Sequence, residues 1–199
     1  MVCVLVTGAP ATGKSTLAAA LSKELGFPMF SKDSVKELLF DTVGFRSREE
    51  KVALGRGSME ILLYCAEQVL ALGQSVILEN NFENDSKPGL LALLEKYSCP
   101  TVTVALTGDH EVVYRRFLAR ESSPQRHRGH VVNTCFPEPE GEKPPYVPMS
   151  LEKFVEGFHR RGMDTFTVGG PRITVDATDF SAVDHHAIAQ EILRLCGTK

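Results

Sequence analysis

The chain has 199 residues, 43% hydrophobic and 24% charged, which suits one globular domain with a substantial core. A net charge of −3 and a pI of about 6.1 argue against broad attraction to nucleic acid or anionic membrane. No apolar run approaches the roughly 20 residues that span a bilayer, and no basic region precedes a cleavable apolar stretch, so a cytoplasmic protein is expected.

The five cysteines, at positions 3, 65, 99, 135 and 196, include no CxxC pair. They read as small buried hydrophobes rather than as zinc ligands or a redox couple.

Along the chain, residues 2–7 (VCVLVT) form a short β-branched run typical of a central parallel strand. A helical pattern begins at Lys14, with Leu17, Leu21 and Leu25 in register and Gly26 as its stop. A second strand ends near Ser31. A helix follows it, with Asp33–Ser34 as the expected cap and Glu37 close by. Residues 48–72 read as helix, apolar around most of its circumference from Met59 to Leu72 and therefore buried, and Gly73 ends it. Strands are predicted at 75–80, 101–108 and 172–178, and helices at 88–97, 110–121, 150–162 and 182–196. This alternation implies a parallel sheet covered on both faces. Residues 122–149 break the rhythm, holding six of the eleven prolines and no periodic apolar pattern. A segment of that length is either a loose surface insertion or a functional cover, and residues 121–150 are expected to be a lid.

Residues 8–16, GAPATGKST, match Gly-x-x-x-x-Gly-Lys-Ser at every fixed position, between a strand and a helix. Such a loop curls its backbone N–H groups toward phosphate, and the helix N-terminus favours anions. The expected nucleotide-binding residues are Gly8, Ala9, Pro10, Ala11, Thr12, Gly13, Lys14, Ser15 and Thr16. Lys14 should reach the β- and γ-phosphates of ATP, and the Ser15 hydroxyl should ligate Mg2+. Glu79 ends the third strand after four largely apolar positions, as a second Mg2+ contact would, and Asn80 and Asn81 follow it. The guanine-reading Asn-Lys-x-Asp motif of GTPases is missing, and DTVG at 41–44 follows a helix rather than a strand. With no ABC-type signature and a chain too short for a motor or helicase core, a small phosphotransferase remains.

Asp33 follows the second strand, at the sheet end where ligands gather, and is either a helix cap or the carboxylate that aims an acceptor hydroxyl. Arg116 and Arg120 share one helix face, where two guanidiniums can grip phosphate. The histidines of RHRGH (126–130) lack further ligands for a metal site and suit lid or acceptor contacts.

The ordered motifs GAPATGKST, FSKDSVKE, VILENNF and YRRFLARE resemble the small P-loop kinases related to polynucleotide 5′-hydroxyl kinase, chloramphenicol phosphotransferase and zeta toxin, in their predicted-kinase branch. The resemblance implies that Asp33 is the general base, that Lys36 contacts substrate or phosphate, and that Arg116 and Arg120 close over the nucleotide. It also implies that the loop after the fifth strand, at Asp176 to Asp179, lies against adenine.

The resulting reading is a single α/β domain, residues 1–199, of the P-loop kinase type: a three-layer sandwich with a five-stranded parallel sheet of order 2-3-1-4-5. It would transfer the γ-phosphoryl of ATP, with Mg2+, to a hydroxyl on a small molecule, or less favourably on a nucleic-acid end. Lys14, Asp33, Arg116 and Arg120 are the expected catalytic residues, and Ser15 and Glu79 the metal contacts. The alternatives are a nucleoside monophosphate kinase, to which Arg46, Arg48 and Arg56 would be suited, and an ATP-binding switch with slow hydrolysis.

Overall fold

The structure is a computed structural model that describes residues 1–141 and 147–197. Five strands, β1 (Cys3–Gly8), β2 (Met29–Ser31), β3 (Val76–Glu79), β4 (Thr101–Thr107) and β5 (Arg172–Asp176), form one sheet of order β2-β3-β1-β4-β5. Every neighbouring pair is parallel, as predicted. The helices are α1 (Lys14–Leu25), α2 (Lys32–Thr42), α3 (Arg48–Ala71), α4 (Lys87–Lys96), α5 (His110–Glu121), α6 (Arg128–Val131), α7 (Leu151–Arg160) and α8 (His185–Leu195).

Side chains alternate across β1 and build a core on each face of the sheet. Val2, Val4 and Val6 meet Leu17 and Leu21 of α1 and Ile188 and Ile192 of α8. Cys3 and Leu5 meet Leu62, Ala66 and Leu70 of α3 and Leu90 of α4. Burying such runs on both faces supplies most of the driving force, at about 25 cal/mol per Å². Two smaller clusters lie outside the sandwich. Phe117 of α5 packs with Phe154 and Phe158 of α7. Phe40 of α2 packs with Phe45, Val132 and Phe136.

Two expectations change. The cap of α2 is Ser31, not Asp33; it accepts no capping bond, and its hydroxyl donates to Glu79 at 2.6 Å. Asp33 therefore sits in the first turn with its carboxylate free of backbone duty. Helix α3 is buried on one side only, although its sequence is apolar around most of its circumference. Met59, Leu62, Ala66 and Leu70 face the sheet, whereas Tyr64 and Leu72 are 61% and 75% exposed. The expected lid, residues 121–150, falls partly outside the described residues, since positions 142–146 lie there. What is described of it includes α6, which nothing in the local pattern announced.

Candidate active site

The carboxyl ends of β1, β2 and β3 converge. Glu79 sits in register with Val6 on one side and Ser31 on the other, so the loop after β1, the start of α2 and Asn80–Asn81 open onto one space. That space is a cleft of about 960 Å³, lined by Lys14, Ser15, Asp33, Glu79, Arg116 and Arg120 among others. The predicted catalytic and metal residues are thus brought together.

The phosphate loop is held by backbone geometry. Gly8 has φ 137°, and a Cβ there would come within 2.2 Å of the Leu106 carbonyl oxygen on β4. Gly13 has φ 92°, and a Cβ would strike the Phe180 ring at 2.3 Å, so the turn after β5 packs directly on the loop. The Thr12 hydroxyl and the Lys14 ammonium both donate to the Ala9 carbonyl, at 2.9 and 2.8 Å. Lys14 is only 6% exposed. Burial pushes its ammonium down to about 8, with Glu79 and Asp33 pulling the other way and Arg120 and Arg126 adding to the depression.

The Asp33 side chain is 51% exposed by area, but it opens into the walled cleft rather than onto an outer surface. Withdrawal from water works against its charge. The fields of His130, Arg126, Lys14 and Lys36 outweigh that cost, so the carboxylate lies below its ordinary value. Arg126 approaches Asp33 to 4.0 Å and Glu121 to 3.0 Å. Burial, with Arg126, Lys36 and His127 facing it, lowers His130 to about 3 against the pull of Asp33. At neutral pH this ring is uncharged and sits 2.9 Å from Glu37.

Ser31 occupies one oxygen of the buried Glu79, and no described residue donates to the other. A carboxylate oxygen and the Ser15 hydroxyl on one cleft are hard donors that suit Mg2+, which keeps several waters and takes its remaining ligands from phosphate.

Arg116 directs both terminal nitrogens at the carbonyls of Ala177 and Thr178, each at 2.5 Å, tying α5 to the loop after β5. Arg120 donates to Glu121 at 2.9 and 3.2 Å and lies over the Phe117 ring. Lys36, Asn80 and Asn81 line the cleft, as do Arg48 and Arg56, whereas Arg46 does not. His127 pairs with Asp41 at 3.0 Å, and Arg128 is drawn away to Glu138.

Three participants escaped the sequence reading. Arg126 is 14% exposed beside Asp33, Glu121 anchors both Arg120 and Arg126, and Lys51 is buried. Lys51 donates to the carbonyls of His130, at 2.8 Å, and Val132. The signals were weak. Lys51 follows Arg48 by three residues and so shares its helix face, but Arg126 and Glu121 meet only through the fold.

Residues 3–134 match the AAA domain family. Over 97% of both chains the structure superposes on a "putative kinase" of Chloroflexus aurantiacus J-10-fl, with a TM-score of 0.80 and 30% identity. A sugar kinase of Janibacter sp. HTCC2649 gives a TM-score of 0.56 at 14% identity, over 100% of this chain and 95% of that one. Shikimate kinase of Bacteroides thetaiotaomicron gives 0.55 at 17%, over 98% of each. At those identities they speak to fold alone. Among curated proteins no sequence matches significantly. The chain belongs to the AAA domain family and has the architecture of the small P-loop kinases.

Proposed function

We propose that the chain is an ATP-dependent phosphotransferase that moves the γ-phosphoryl group to a hydroxyl of a small molecule. The observation that carries this reading is that the Asp33 carboxylate and the Lys14–Ser15 end of the phosphate loop line the same cleft. The likeness to the Chloroflexus "putative kinase" supports the reaction class.

In this reading the loop amides and Lys14 hold the β- and γ-phosphates. Asp33 accepts the proton of the acceptor hydroxyl as its oxygen bonds to the γ-phosphorus and the bond to the β-bridging oxygen breaks. Its lowered affinity for protons keeps it ionised and able to accept. Arg120 and Arg126 offset charge on the phosphoryl oxygens, and Arg116 fixes the loop after β5, with residues 121–150 as the cover that excludes water. Ser15 and Glu79 would hold Mg2+, which neutralises charge on the β- and γ-oxygens when bound.

Labelled ATP tested against polyols, sugars, nucleosides, nucleoside monophosphates and 5′-hydroxyl oligonucleotides separates the alternatives. A labelled hydroxyl compound is expected. Label passing only to monophosphates would make the protein a nucleoside monophosphate kinase. Tight ATP binding with slow hydrolysis and no acceptor would make it a switch.

A further inference from the structure

The cleft is charged out of proportion to the chain. Ten basic and six acidic side chains line it, in a protein of net charge −3. Three of the six arginines that line it have a carboxylate partner. Arg120 and Arg126 have Glu121, and Arg161 has Glu83 at 3.6 Å.

One wall differs. Helix α3 turns residues 48, 51, 52, 55, 56, 59 and 60 to the cleft, a stripe at helical spacing that carries Arg48, Lys51 and Arg56 against one acid, Glu60. Across from it α2 presents Lys36, whose ammonium lies so near Gly55 that a Cβ there would be 3.3 Å away. None of these four cations forms an ion pair with a carboxylate among the described residues. Lys51 points its donors at backbone and at Asn133, and Arg48 gives one nitrogen to Asn133 at 2.8 Å. The remaining donors of Arg48, and all those of Lys36 and Arg56, have no acceptor among the described residues.

We infer that this α2–α3 wall is an oxyanion subsite for the phosphoryl acceptor, with Lys36, Arg48 and Arg56 as its donors and Lys51 as a fixed supporting charge. The inference rests on the phosphotransfer reading and narrows it: the acceptor is a small compound carrying both a hydroxyl and a carboxylate or phosphate ester. Asp33 and Lys36 are three apart on α2, so their side chains are neighbours about 5–6 Å apart at Cβ. The hydroxyl that meets Asp33 and the anion that meets Lys36 are therefore separated by only a few bonds. Like charges crowded on one wall repel one another, and an arriving oxyanion relieves that repulsion, which favours an acceptor that carries negative charge. Burial lowers both Lys36 and Lys51, helped for Lys36 by Lys32 and Arg48 and for Lys51 by Lys36 and Arg48, in agreement with this crowding.

The test is calorimetric titration of the full chain, saturated with Mg2+ and AMP-PNP so that the phosphate loop is filled. Inorganic phosphate is the probe in one series and acetate in the other. At least one anion should bind saturably, and the one that binds more tightly tells which source the subsite prefers. In Lys36→Gln/Arg48→Gln that binding should weaken at least tenfold with AMP-PNP affinity within twofold of wild type. In Arg56→Gln, altered at an exposed position, it should weaken about threefold with an unchanged melting curve, a readout that folding damage would not give. Binding of neither anion, or equal binding to the double variant, would overturn the subsite. If AMP-PNP itself fails to bind, the phosphotransfer reading falls on its own. Titration of Lys14→Ala, where the loop no longer competes for anions, then judges the α2–α3 wall separately.

Discussion

The phosphate loop and the segment that follows α5 both border the cleft, and they are held in opposite ways. The loop, residues 8–16, is fixed by its own backbone, with positive φ at Gly8, Ala11 and Gly13 and two side chains folded onto the Ala9 carbonyl. The segment from Ser122 to Gly141 is fixed by side chains distant in sequence. Lys51 holds the carbonyls of His130 and Val132, Phe136 joins the Phe40 cluster, and Gly129 lies so close under the Phe40 ring that a Cβ would meet it at 2.3 Å. The backbone of Phe136 bridges that of Phe45 in both directions, at 2.8 Å. One region is specified locally. The other exists only once α2 and α3 have formed.

The largest expected effect tests whether the two regions work on one reaction. Asp33→Asn keeps the shape of the side chain and removes its ability to take a proton. Transfer should fall by roughly 10²–10⁴, the usual contribution of a general base, with AMP-PNP affinity within a few-fold of wild type. Full transfer in this variant would remove Asp33 from the chemistry and leave the phosphate loop as the only functional region.

A second substitution addresses the docked segment alone. Phe136 is partly buried against Phe40 and Phe45, with ring centroids 6.3 Å from each. Full truncation of a core Phe costs about 3–5 kcal/mol, so Phe136→Ala should cost about 1–3 kcal/mol. That corresponds to a melting temperature lower by roughly 3–10 °C. Proteolysis within residues 122–141 should rise, while stabilisation by AMP-PNP persists. A variant indistinguishable from wild type would mean that the packing of this segment carries no weight in solution.

This contrast explains what the sequence could and could not tell. The glycines, Lys14 and Ser15 were readable because each answers a constraint imposed by its immediate neighbours; alternating strands and helices gave the parallel sheet, and the resemblance to small P-loop kinases gave its order. Asp33 was placed in the right region, but the helix begins earlier than its expected Asp33–Ser34 cap, with Ser31 at the cap position and its hydroxyl turned to Glu79, 48 positions away. Arg126 lay hidden in a proline-rich stretch with no periodicity. Its partners, Asp33 and Glu121, come from α2 and α5, and no spacing rule links the three.

A smaller effect sharpens the comparison from the side of the loop. A cation whose folded value, about 8, lies below its ordinary 10.5 binds fewer protons folded than unfolded between those limits. Stability therefore rises with pH across that window, and at pH 7 the charged, buried Lys14 is a net cost. Lys14→Met should raise the stability of the nucleotide-free protein, on the order of 1–3 kcal/mol, while abolishing ATP binding. Chemical denaturation at pH 7 and pH 10 checks it: the gain should shrink as pH rises, and a variant less stable than wild type at pH 7 would contradict the assignment.

The smallest effect concerns nucleotide affinity. Triphosphate binds the protonated ammonium, so affinity should be steady below about 8 and fall above it, to about one-tenth at pH 9 relative to pH 7. The other charged groups facing Lys14 are Glu79, Asp33, Arg120 and Arg126. Asp33, held below the ordinary carboxylate value, stays ionised across this range and adds nothing to the slope. Lys51 also titrates near 8, but its ammonium is directed at the carbonyls of the docked segment. AMP-PNP titrations at pH 7, 8 and 9 on wild type, Lys14→Arg and Lys51→Met therefore distinguish the regions. Lys14→Arg keeps its charge at every pH and should flatten the profile, whereas Lys51→Met should leave the slope intact. A slope that survives Lys14→Arg and disappears in Lys51→Met would mean that the segment after α5, rather than the phosphate loop, sets the pH response of nucleotide binding.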